Sequence, residues 1–242
     1  MSAPKAEPLS LEVDEKRRVS ALLIAPSGAP ACYVLAHGAG VGMRHRAMEE
    51  TAVGLAKRGI ATLRFQFPYM EQGSKRPDPP ALCHATIRAA VGEASRRLPK
   101  LPLIAGGRSF GGRMTSQAEA GSHLPDVRGL AFLGFPLHPA GRPSIERATH
   151  LSDVRIPMLF LQGTRDALAD LTLLEPLIAR LPGATLKLCE DADHSFHVPA
   201  RTGRTDADVR EDVLDALSEW IDAVTGEPAA LKKPRPKTKT PG

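Results

Sequence analysis

Short apolar runs alternate with amphipathic stretches along most of this chain, and each change of period marks a change of element. Leu9 to Val13 and Val19 to Ala25, separated by the charged Asp14 to Arg18, predict an opening β-hairpin. Ala31 to His37 is the first strongly apolar strand. It runs into Gly38-Ala39-Gly40 and then a helix over Arg44 to Lys57, which Gly59 ends. Ala61 to Phe67 reads as a strand that stops at Pro68, and the polar, proline-rich Tyr69 to Pro80 reads as a loop. A helix over Ala81 to Leu98 precedes a strand over Leu101 to Arg108. A helix (Phe110 to Ala120) and two strands (Gly129 to Phe135, Pro157 to Gln162) follow. The pattern closes with a helix (Leu171 to Leu181), a strand (Thr185 to Glu190) and a helix (Asp206 to Val224).

Strands and helices alternating at this spacing predict an α/β fold: a mostly parallel, doubly wound sheet of about seven to eight strands flanked by helices. Short, continuous apolar strands agree with burial on both faces. Residues 1–8 read as a flexible N-terminus, 9–225 as one domain and 226–242 as a disordered tail. The segment between Phe135 and Pro157 is too short for a sizeable helical cap.

Composition narrows the class. An apolar fraction of 42% and a charged fraction of 24% are those of an ordinary soluble domain. No apolar run is long enough to cross a bilayer, and Met1 to Pro8 lacks the apolar core of a signal peptide. Cys32, Cys83 and Cys189 are odd in number and far apart, which suggests neither a disulfide framework nor a zinc site; a cytoplasmic location is expected. The net charge of +5 is concentrated in the tail, where Lys232, Lys233, Arg235, Lys237 and Lys239 face Glu227 alone. A basic tail is not a basic binding face, so no specific nucleic-acid partner and no membrane partner is expected.

The candidate chemistry starts at Gly107-Arg108-Ser109-Phe110-Gly111, a G-x-S-x-G pattern between a predicted strand and a predicted helix. A sharp strand-to-helix turn there lifts a serine above the C-terminal edge of the sheet. Glycines two before and two after it are expected where strand and helix backbones nearly touch. A serine hydroxyl needs a base to become nucleophilic, and the base needs an orienting carboxylate. Asp166 follows the predicted strand ending at Gln162, and His194 follows the next strand, in the chain order Ser, Asp, His.

These motifs, together with Ala36-His-Gly-Ala-Gly40, Arg64 to Met70 and Pro136 to Pro139, resemble the α/β-hydrolase superfamily over about residues 18 to 224. The likeness is to its small capless branch, similar to dienelactone hydrolases, and to hydrolase-like proteins whose relatives include testis-expressed and chromatin-complex members. The resemblance implies Ser109 as nucleophile, His194 as general base and Asp166 as its carboxylate. It implies an oxyanion hole from the backbone N–H groups of Phe110 and Ala39. Dienelactone hydrolases carry a cysteine where this chain has Ser109. The expected activity is hydrolysis of a small-molecule ester or thioester through an acyl-enzyme, without metal or organic cofactor. An acyltransferase and a non-catalytic binding module are the alternatives.

Other residues have blander expected roles. His37 reads as a structural partner of its glycine loop, His138 as loop packing and Asp170 as a helix cap. His194 and His197 have metal-like spacing, but no third histidine is near. Arg108 and Arg165 are solvated or paired arginines, or they select substrates bearing a carboxylate or phosphate.

Overall fold

A computed structural model describes residues 5–226 of the chain. Residues 1–4 and 227–242, including nearly all of the expected basic tail, lie outside that range. The strands are β1 (Glu7–Asp14), β2 (Arg17–Ile24), β3 (Cys32–Ala36), β4 (Ala61–Phe65), β5 (Leu103–Arg108), β6 (Val127–Leu133), β7 (Met158–Gly163) and β8 (Ala184–Cys189). The helices are α1 (Arg46–Lys57), α2 (Pro68–Glu71), α3 (Pro80–Arg97), α4 (Phe110–Gly121), α5 (Leu171–Ile178) and α6 (Asp206–Thr225).

All eight strands share one sheet in the order β1-β2-β4-β3-β5-β6-β7-β8. β1, β2 and β4 pair antiparallel, and every neighbour pair from β4 onward through β3 to β8 is parallel. Every residue of β3 and β4 is buried, because helices cover both faces. Apolar side chains of α3, α4 and α5 pack on one face, with Ile87, Met114 and Leu174 among them. Those of α1 and α6 pack on the other, with Leu55, Leu214 and Leu217. Tyr33 spans β5 within the second layer, its buried hydroxyl donating to the Ala131 carbonyl at 2.8 Å.

Three expectations shift. Glu7 and Pro8, read as part of a flexible arm, pair with Leu23 and Leu22, and Pro8 is tolerated because β1 is an edge strand. Tyr69 was expected in a loop, yet Pro68–Glu71 forms one turn of helix with Pro68 at its first position, where the missing N–H has no intrahelical partner to lose. α1 starts at Arg46 because His45 caps it, its Nδ1 accepting the Ala47 N–H at 3.3 Å. As expected, the segment between β6 and β7 forms no cap domain, only a 3₁₀ turn over Glu146–Asp153.

Candidate active site

β5 occupies the middle of the sheet, between β3 and β6, and ends at Ser109. Ser109 has φ +49°, a left-handed value that a serine adopts only when its surroundings compel it. Its N–H donates to the Leu133 carbonyl at 3.1 Å, and its own carbonyl accepts the Arg113 N–H at 3.1 Å as α4 begins. The elbow is thus tied to β6 on one side and to its helix on the other.

The flanking glycines are needed, but for a contact different from the one expected. A Cβ at Gly107 would lie 2.2 Å from the Ala36 carbonyl oxygen, and one at Gly111 would lie 2.5 Å from that of His37. Both meet the end of the neighbouring strand β3. The close approach of the elbow's own strand and helix falls at Gly112, whose Cβ would sit 2.8 Å from the Gly107 oxygen.

Asp166 and His194 come from the turns after β7 and β8, whose parallel pairing brings the two turns side by side. Gly163 makes this possible, since a Cβ there would lie 2.3 Å from the Ala192 carbonyl oxygen. The structure brings the three sequence-predicted residues into one line. His194 Nε2 is 2.8 Å from Ser109 Oγ, and His194 Nδ1 is 2.7 Å from Asp166 Oδ2. A carboxylate accepts only, so Nδ1 carries the proton and Nε2 is left bare to accept from the Ser109 hydroxyl. Asp166 is 5% exposed, and its other oxygen accepts the Leu168 N–H at 2.8 Å.

A fourth side chain, absent from the sequence reading, completes the line. Gln162 is fully buried at the end of β7, and its Nε2 donates to the Asp166 Oδ2 that also faces His194. Its Oε1 accepts the Phe135 N–H at 2.9 Å. The available signal was a lone amide closing the apolar run Met158-Leu-Phe-Leu-Gln162. The His194 turn is held by Asp193, whose Oδ1 accepts the N–H groups of Ser195 and His197 at 2.7 and 3.0 Å.

The loop after β3 borders the elbow: a Cβ on Gly38 would lie 3.7 Å from that of Ser109. The Phe110 N–H is the first of α4 and has no intrahelical partner. Among the described residues no hydrogen bond engages it or the N–H of Ala39. His37 is buried beneath this loop, and desolvation pushes its pKa down to about 4.

The remaining candidates lie apart from this line. Asp170 caps α5, accepting the Thr172 N–H at 2.9 Å, and its own N–H donates to His138 Nε2 at 2.9 Å. His197 is exposed and pairs with Asp206 at 3.0 Å. Arg165 is exposed, whereas Arg108 is part-buried. Among the described residues no group of three or more His, Cys, Asp or Glu side chains is arranged to hold a metal ion. No described helix is long and apolar enough to cross a membrane.

Solved structures share this fold. Dienelactone hydrolase from Anabaena variabilis superposes with a TM-score of 0.73 at 20% identity, over 92% of this chain and 99% of that one. A lidless α/β serine hydrolase from Xanthomonas campestris gives 0.67 at 21% identity, over 89% and 95%. The esterase domain of a Rhodothermus marinus protein gives 0.69 at 20% identity, over 92% and 100%. The further likeness to testis-expressed and chromatin-complex proteins rests on sequence motifs alone. A family model described as the alpha/beta hydrolase domain matches residues 29–222, most of the chain, and the protein belongs to that family.

Proposed function

We propose that this protein is a serine hydrolase that cleaves a small ester or thioester through an acyl-enzyme. The observation that carries the reading is the unbroken proton path from Ser109 Oγ through His194 to Asp166, at 2.8 and 2.7 Å. Ser109 attacks the carbonyl carbon while Nε2 of His194 takes the hydroxyl proton, and the resulting imidazolium lies against the Asp166 carboxylate. The carbonyl oxygen becomes an oxyanion that accepts from the N–H groups of Phe110 and Ala39, a contribution worth on the order of 10²–10³ in rate per donor. Collapse of this intermediate breaks the bond to the leaving alcohol or thiol, which receives the proton from His194. Water then repeats the cycle on the acyl-enzyme and releases the acid.

Without a cap between β6 and β7, the rim is suited to small soluble substrates. Esterase and serine hydrolase are names borne by proteins of the same fold, in agreement with this reading. A panel of short-chain acyl esters and thioesters tests it. Turnover that disappears in Ser109→Ala and in His194→Ala supports hydrolysis. A folded protein inert toward the whole panel favours the binding-module alternative, and acyl transfer to an added alcohol in preference to water favours the acyltransferase.

A further inference from the structure

A cavity of about 340 Å³ opens between the N-terminal turns of α1 and α6. Neither Ser109 nor His194 lines it, although their chain neighbours Arg108 and Ser195 do. Much of its wall is apolar, from Ala47, Leu133, Phe196, Val213 and Leu214. Arg108 leaves β5 on the same face as Ile104, which packs in the α1/α6 layer, and so reaches this cavity.

The charge of Arg108 is unanswered. Among the described residues no carboxylate lies within 4 Å of it, as the ion pairs of the protein all involve other cations. Its Nη2 reaches the His194 carbonyl only at 3.5 Å, and its guanidinium carbon stands 5.8 Å from the centre of the Phe196 ring. The other lining arginines have a carboxylate partner, since Arg46 and Arg210 share Glu50 at 2.8 and 3.1 Å, while Asp206 pairs with His197. Burial pushes the Arg108 guanidinium below the usual arginine range, with Asp193 and Asp166 pulling the other way from a distance. A partly desolvated cation without a counter-charge is costly unless an anion arrives from outside.

We propose that this cavity is a binding site for a small monocarboxylate with an apolar body, its carboxylate seated on Arg108. One planar guanidinium matches one carboxylate through two parallel hydrogen bonds. The apolar part of the wall, from Leu133, Phe196, Val213 and Leu214, accepts a branched or aromatic body, which inorganic phosphate does not have. The volume is at the lower end for small-molecule sites, which excludes long acyl chains. The proposal does not depend on any reaction at Ser109.

Isovalerate titrated into the full chain, followed by methyl NMR, tests it. The expected result is a saturable shift at the methyls of Leu133, Val213 and Leu214, with isoamyl alcohol, of similar body and no charge, binding at least tenfold more weakly. Arg108→Gln weakens isovalerate at least tenfold, as does Ala47→Trp, which fills the cavity from its half-buried wall and leaves Arg108 in place. Ser109→Ala leaves the affinity unchanged. The absence of a saturable shift, equal binding of the alcohol, displacement by equimolar phosphate, binding unaltered in Ala47→Trp, or binding lost with Ser109→Ala would each overturn the site.

Discussion

The imidazole of His37 accepts the Phe67 N–H at Nε2, 3.0 Å away, while its Nδ1 donates to the Gly38 carbonyl at 2.9 Å. This pairing requires the neutral ring, and the edges of Phe67 and Tyr69, with ring centres 4.9 and 5.9 Å away, offer a proton no counter-charge. Burial therefore lowers the folded pKa from 6.5 to about 4. The unfolded chain then binds more protons between those values. The stability contributed by His37 is complete above pH 6.5 and lost as the pH falls toward 4. Urea unfolding at pH 6.5 and pH 5 should show a loss of about 2 kcal/mol from this residue. His37→Gln should flatten the profile by that amount, and an unchanged slope would contradict the assignment. His150, also pushed down to about 4 by burial, loses stability over the same interval.

Gly111 and Gly92 both lie in helices and should respond in opposite directions to alanine. At Gly111 the new methyl meets the His37 and Ala36 carbonyl oxygens at 2.5 and 2.6 Å, backbone atoms that cannot swing aside. The cost should be about 3 kcal/mol or more. At Gly92, in α3, nothing lies within 4 Å, and removing glycine's extra unfolded-state freedom should stabilise by roughly 0.5–1 kcal/mol. Thermal melting of the two variants measures both signs.

Gln162 should behave as a positioning residue. Gln162→Leu leaves the buried Phe135 N–H without its acceptor and Asp166 Oδ2 without one donor. Stability should fall by roughly 2–6 kcal/mol, the sum of two such losses. Ester turnover should fall mainly in kcat, because in the proposed mechanism Asp166, 2.7 Å from His194 Nδ1, acts through that imidazole. A variant that loses stability but keeps full kcat would restrict Gln162 to a packing role.

The central strands β3, β5, β6 and β7 were legible because each is a short apolar run, buried almost throughout by helices on both faces, whereas the edge strands β1 and β8 were legible from alternation next to a turn. The Ser109, Asp166 and His194 candidates were legible because each follows a strand end, and strand ends of a parallel sheet share one rim. Residues whose importance arises only from tertiary contact were not. Gln162 looks like the last residue of a strand until Phe135 and Asp166 close around it. Pro68 reads as a strand stop and is equally the first residue of α2. Gly107 and Gly111 were correctly singled out, but their neighbours on β3 belong to a segment some seventy residues earlier. The strand order, with β4 between β2 and β3, cannot be obtained from alternation alone.

Asp166→Asn keeps the size of the side chain and removes its charge. An amide can donate to Nδ1 of His194, which moves the imidazole proton to Nε2 and blocks acceptance from Ser109 Oγ. In triads of this kind the loss in kcat is about 10⁴, and a comparable fall is expected here with little change in KM. Steady-state kinetics on any turned-over ester checks this; a fall of less than tenfold would show that the carboxylate is not needed to set the tautomer.

The most direct measurement is the site of covalent capture by a fluorophosphonate, read by peptide mapping of the folded wild-type chain. Activated by His194, Ser109 should carry a single adduct, and both Ser109→Ala and His194→Ala should abolish or greatly slow labelling while remaining folded. A correctly folded wild-type protein that stays unlabelled, or an adduct on a different serine, would contradict the reading of this site as a working nucleophile and base.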